Sequence, residues 1–296
     1  MKISSIFPWA LLAIAFLGCS SNDDGPQAPP VDRSANLRAT GASANQILSN
    51  SAFTRLQVEI AYVSGFRPTT AAMNNFTAFL RELTFKEDIE MVFKELPSPE
   101  EETLTLEEVV DLEEENRTAY NDGQTLAIYI YFADAPSDSD NEEEGLVTLG
   151  AVYRNTSMII YERTVRNLAA RSFRIAVEDV ETATLNHEFG HLLGLVNLGS
   201  PMVTPHEEIV IGEDGEEEGN RHCNVEGCLM RAELQFGIGL GNKGIFAQGL
   251  GDTKVHCELS GASVLKMLRS ETANGLGNTQ GLDPLCLQDL QANGGR

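Results

Sequence analysis

His187-Glu188-Phe189-Gly190-His191, followed by Gly194, constrains this chain more than any other stretch. Residues four apart share one face of an α-helix, so a helix here would let both imidazoles close on one metal ion. Glu188 stands beside the first of them, where a carboxylate can take a proton from coordinated water. The chain has 5 histidines in 296 residues, and two of them fall at this spacing. A helix that merely displayed two histidines would need neither the intervening glutamate nor the glycine that follows.

The N-terminus carries a different kind of signal. Lys2 gives a positive start, Ile6 to Leu17 is mostly apolar, and Gly18-Cys19 ends the run. Such a run is short for a membrane span and reads as a secretory signal over residues 1–18. Phe16-Leu17-Gly18-Cys19 resembles a bacterial lipoprotein box, although Phe16 departs from the usual aliphatic residue; an ordinary cleaved signal is the alternative. The resemblance implies that Cys19 is lipidated and anchors the chain to a membrane. Ser20 to Asp24 is similar to the export tether of Bacteroidetes lipoproteins, which implies the outer membrane or cell surface. Residues 19–50 are rich in Ser, Asn, Pro and Ala and are expected to form a flexible tether. Residues 51–296 then form the folded domain, with an N-terminal subdomain over 51–196 and a C-terminal one over 197–296. That length suffices for a substantial core.

A formal net charge of −23 argues against a nucleic-acid partner or a basic membrane-binding face. With Cys19 modified, four of the 5 cysteines remain: Cys223, Cys228, Cys257 and Cys286. An even number in an exported chain suggests two disulfides. Nearness in sequence favours Cys223–Cys228 and Cys257–Cys286, among three possible connectivities.

Periodicity places the motif in a fold. Leu56, Val58, Ile60 and Tyr62 alternate as in a strand. Thr69 and Thr70 can cap a helix carrying Met73, Phe76, Phe79, Leu80 and Leu83. Ile89 to Phe93 reads as a strand, Thr103 to about Arg117 as an acidic helix, and Leu126 to Phe132 as a strand buried on both faces. Leu146 to Tyr153 and Ser157 to Tyr161 are extended, and a long helix over about Ile175 to Leu195 carries the histidine pair. This order predicts an α/β fold, a mixed twisted sheet backed by helices. An edge strand at Leu149 to Tyr153 could hold an extended peptide by backbone pairing.

From Gly194 onward the motif resembles the metzincin clan of zinc-dependent endopeptidases. There the glycine lets the chain leave the helix abruptly, a third ligand follows three residues later, and a methionine turn lies beneath the metal. This chain has Asn197 at the third-ligand position, and asparagine is a poor zinc ligand beside imidazole. His222-Cys223-x4-Cys228-x-Met230 is similar to the archaemetzincin segment that holds both the third ligand and the methionine. The resemblance implies that residues 197–221 are an insertion and that His222 is the third ligand. His206 is the alternative, and Glu207 or Glu208 a weaker one. Met230 would form the floor of the site and coordinate nothing. The second zinc site of archaemetzincins uses a later Cys-x-x-Cys that is missing here, so one zinc ion is expected.

What the resemblance implies is a monomeric zinc endopeptidase acting on extracellular proteins or peptides, in which Glu188 assists attack by zinc-bound water. Asn197 keeps a rival open: a non-catalytic binding or assembly lipoprotein built on a degenerate peptidase fold.

Overall fold

The structure is a computed structural model. It describes residues 32–141, 146–173, 175–212, 215–231 and 281–296, together with the backbone of 255–260. The proposed leader and Cys19 lie outside the described residues.

The alternating apolar segments become a six-stranded sheet. Its members are β1 (Arg55–Val63), β2 (Asp88–Leu96), β3 (Thr125–Phe132), β4 (Leu146–Arg154), β5 (Ser157–Ile160) and β8 (Val255–Ser260), in spatial order β2-β1-β3-β5-β4-β8. β2, β1, β3 and β5 run parallel, whereas β4 is antiparallel to both β5 and β8. Between β4 and β8 in sequence lies a separate antiparallel hairpin, β6 (Glu207–Ile211) and β7 (Glu217–Cys223). β2, the edge at the far side, alternates exposed and half-buried positions and carries Glu90, Lys94 and Glu95, charges that discourage edge-to-edge pairing. The expected edge at Leu149 to Tyr153 is not one, because β8 pairs along the outer side of β4 from Leu146 to Val152.

Side chains alternate across the sheet as its two-residue pleat requires. Leu56, Val58 and Ile60 of β1, with Leu126, Ile128 and Ile130 of β3, join the core on one face. Ala61 and Val63, with Tyr129 and Tyr131, join the core on the other. The first face is covered by α2 (Thr70–Leu83), α4 (Glu162–Ala169) and α5 (Val177–Leu192), and the second by α3 (Leu106–Asn116). Thr69 caps α2 by accepting from the Ala72 amide, and Thr105 and Glu108 form a reciprocal cap on α3.

Helix α5 is the central member. Every residue from Asp179 to Leu192 is buried, and Phe189 meets Phe76 of α2 edge-on at 5.2 Å. A helix buried all round is ordinarily apolar, yet this one carries Glu181, His187, Glu188 and His191. Glu181 accepts from the Thr69 amide at 3.0 Å and lies beside Glu162 at the start of α4. Burial, then the neighbouring Glu181 carboxylate, pushes the Glu162 carboxyl up to about 9, although Arg166 Nε lies 2.5 Å away. Glu162 is therefore protonated at neutral pH.

The expected tether is shorter than 19–50. A short α1 (Ala44–Leu48) buries Ala44, Ile47 and Leu48 in the main core, and Asn36 is fully buried among polar partners on Ala127, Asn121 and Thr156. Few apolar residues are needed when each one lands in the core. Several elements went unread in the sequence: α1, α4, the β6–β7 hairpin, β8 and a C-terminal helix, α6 (Pro284–Ala292). Pro284 at the first turn of α6 and the Asp283 side chain accepting from the Leu285 amide are ordinary helix-start signals.

Candidate metal centre

His187 and His191 project from one face of α5, one turn apart, with ring centroids 4.9 Å apart. His222, the penultimate residue of β7, brings a third ring 5.4 Å from His187 and 5.2 Å from His191. All three are buried, and one nitrogen from each lies within 4.8 Å of the others. Nδ1 of His187 donates to the Leu229 carbonyl at 2.8 Å, and Nδ1 of His222 donates to the Asn220 carbonyl at 2.7 Å. A ring that donates through Nδ1 keeps a lone pair on Nε2, the form in which imidazole binds metal. Burial pushes the pKa of His187 down to about 4. Burial and the nearby His187 push His222 down to about 3, and burial with both neighbours holds His191 well below its ordinary value. The rings are thus neutral at pH 7, and three neutral imidazoles form a donor set that suits zinc.

Two glycines shape the surroundings. A Cβ on Gly150 of β4 would lie 2.6 Å from Glu188 Cγ and 3.1 Å from its Cδ, so the carboxylate is pressed against the sheet strand. A Cβ on Gly190, between the two helical histidines, would overlap Met230 Sδ. Met230 thus lies fully buried directly against α5. Gly194 adopts φ +77°, and a side chain there would run into Ser200 N and Ala44 Cβ. The chain turns off the helix at that point because only glycine fits.

His206 is elsewhere. Its Nε2 lies 3.5 Å from Cys286 Sγ and 3.5 Å from Asp289 Oδ2, beside a second donor group. Cys223, Cys228, Asp283 and Cys286 are all buried, and their ligand atoms lie within 4.8 Å of one another. Asp283 Oδ2 is 3.2 Å from Cys223 Sγ, and Cys228 Sγ is 3.7 Å from Cys286 Sγ. Backbone amides of Val225 and Met230 donate to Cys223 and Cys228 at 3.4 and 3.3 Å. Hydrogen bonds from Cys228 and Cys286 lower the Cys223 pKa, and that of each partner is raised in turn.

This overturns one expectation. Cys223 and Cys228 are not joined to each other in a disulfide, and the expected Cys257–Cys286 pairing depends on a side chain outside the described residues. Beside the one metal site expected from the sequence stands a second candidate donor group, in which Asp283 and Cys286 lie three residues apart. Asp283 is not a thiol and so escapes a cysteine-spacing pattern; the signal in the sequence is an Asp three residues before a cysteine at a helix start.

The two donor groups are built by one segment, residues 222–230. It supplies His222, Cys223, Cys228, the Leu229 carbonyl that orients His187, and Met230.

No family model matches this chain, and no curated protein does. Among solved structures, the chain is similar to archaemetzincin from Methanopyrus kandleri, at 14% identity over 82% of this chain and 96% of that one, with a TM-score of 0.42.

Proposed function

We propose that the protein is a zinc metallopeptidase that cleaves extracellular proteins or peptides. The observation that carries this reading is the trio of neutral, buried imidazoles of His187, His191 and His222, with Glu188 held beside them against Gly150. A zinc ion at that trio would supply a Lewis acid for the scissile carbonyl and lower the pKa of water there toward 7. Glu188 would accept the water's proton and pass it to the leaving amine. His187 and His222 are oriented by the carbonyls of Leu229 and Asn220, and Met230 excludes water from the underside of the trio.

The second group, Cys223, Cys228, Asp283 and Cys286, would hold another zinc in a closed site. Four protein donors leave no open position, which suits a structural ion rather than a reacting one. This reading replaces the single ion expected from the sequence.

Glu188→Gln is the deciding variant. Zinc content should stay at the wild-type level while chelator-sensitive cleavage of casein disappears. Wild-type turnover in the variant would remove the proposed base. Equal inactivity of wild type and variant with zinc fully loaded would leave the non-catalytic binding reading.

Attachment through Cys19 to the outer membrane or cell surface belongs to the same proposal. Among the described residues no helix is long and apolar enough to cross a membrane. Cys19→Ala should shift the protein from the membrane fraction to the soluble one, and retention in the membrane would refute the anchor.

A further inference from the structure

Asn197 stands where the resemblance expects a ligand, yet its side chain faces the β6–β7 hairpin. Its Nδ2 donates to Glu207 Oε2 at 3.0 Å. The other oxygen, Glu207 Oε1, accepts from the backbone amide of Arg221 at 3.0 Å. Arg221 closes the ring by donating from its guanidinium to the Asn197 carbonyl at 3.1 Å, 3.7 Å from Glu207 Oε1 on the way. Asn197 and Arg221 both have left-handed backbone, with φ of 60° and 65°. Neither is glycine, so each conformation persists only where surrounding bonds fix it.

The Glu207 side chain is 8% exposed, although Ile209 and Ile211 on the same strand are exposed. Gly219, on the facing strand, leaves the space it fills, since a Cβ there would overlap the carboxylate. Arg221 directly precedes His222. The conformation that Glu207 imposes on Arg221 therefore sets the direction in which the third imidazole leaves the strand.

We propose that Glu207, clasped by Asn197, is a positioning residue that aims His222 at the metal trio. The proposal rests on the reading that His222 is a metal ligand. Residues 197–221 replace a ligand three residues after Gly194 with a hairpin whose far strand returns one. The clasp closes the base of that hairpin. Asn197 thereby keeps a part in the site without touching the metal.

The test is cobalt(II) titration of the metal-free protein against a competing chelator, with the apoprotein's thermal midpoint as a second readout. Thiolate-to-cobalt charge transfer reports the cysteine group, and cobalt bound in excess of that band's saturation reports the histidine trio. Glu207→Ala should weaken cobalt at the trio by about 10–100-fold while the charge-transfer band and apo midpoint stay close to wild type. Glu207→Gln, which can still accept from the Arg221 amide, should recover most of the affinity. Asn197→Ala should weaken binding in the same direction, and the double variant should be no worse than Glu207→Ala alone.

Wild-type affinity at the trio in Glu207→Ala would overturn the proposal. So would a joint loss of cobalt at both groups and of the thermal midpoint, which would make Glu207 a determinant of the fold. His222→Ala separates the two layers of argument. If it leaves the trio's affinity unchanged, the ligand assignment itself fails and takes this proposal with it.

Discussion

Gly150→Ala perturbs the proposed base without touching it. Gly150 has no left-handed backbone, so alanine is not opposed by φ. The obstacle is Glu188 alone. The new Cβ would sit 2.6 Å from Glu188 Cγ, where ordinary contact begins at 3.4 Å, so one of them must move by 3.4 − 2.6 = 0.8 Å. β4 is hydrogen-bonded to a strand on each side and resists displacement, so the side chain is the part that yields. A shift of about 1 Å in a reacting group costs on the order of 100-fold in rate, equivalent to about 2.7 kcal/mol. Overpacking would cost a further ~1–3 kcal/mol of stability. The assay is kcat on a fluorogenic peptide, with zinc content measured on the same sample. A fall of about 100-fold in kcat at full zinc is expected. Glu188→Asp, which withdraws the carboxylate by one methylene, should make the same glycine change less costly in the double variant. Wild-type kcat with wild-type zinc in Gly150→Ala would refute the placement of Glu188 against β4.

Three further outcomes follow from the geometry. His222→Ala should abolish tight zinc binding at the trio, whereas His206→Ala should leave it intact and weaken retention at the cysteine group; paired chelator competitions would show the reverse if the third ligand were misassigned. The metal-free protein should lose stability as pH falls. The folded pKa values of His187 and His222 lie near 4 and 3, below 6.5, so the unfolded chain takes up protons that the fold refuses. Each ring then contributes about 1.4 kcal/mol per pH unit from roughly pH 6.5 down to its folded value, and urea midpoints of chelated protein that are flat from pH 7 to 5 would contradict this. Glu162 works in the opposite sense: its folded value near 9 lies above 4.5, so its contribution is complete below pH 4.5 and is lost as pH rises toward 9. Glu162→Gln should remove about 1.4 kcal/mol per pH unit of that slope; an unchanged slope would show that Glu162 is not protonated in the fold.

Strands and helices that bury a continuous face were legible from residue pattern alone. β1, β3, β5, α2, α3 and α5 fall where alternation, apolar runs and threonine caps place them, because local pattern and core agree there. α4 was missed because Glu162 and Arg166 are polar residues that face partners rather than solvent. The hairpin was missed because Ile209 and Ile211 are exposed, so β6 has no buried face to advertise. At the site, His187, Glu188 and His191 declare themselves by spacing within one helix. His222 could be ranked above His206 only through the resemblance, since nothing local tells which distant histidine returns. The cysteines were misread because an even count in an exported chain suits disulfides and metal sites alike. Only three-dimensional convergence with Asp283 separates the two readings.

His222 and Cys223 are adjacent residues of one strand, and neighbours on a strand point in opposite directions. A single peptide unit is therefore the partition wall between an imidazole chamber and a thiol chamber. The two chambers have that wall in common, so a change in the backbone there would reach both. Oxidation of the Cys223 thiol would therefore displace the strand that presents His222, a residue that touches no sulfur itself.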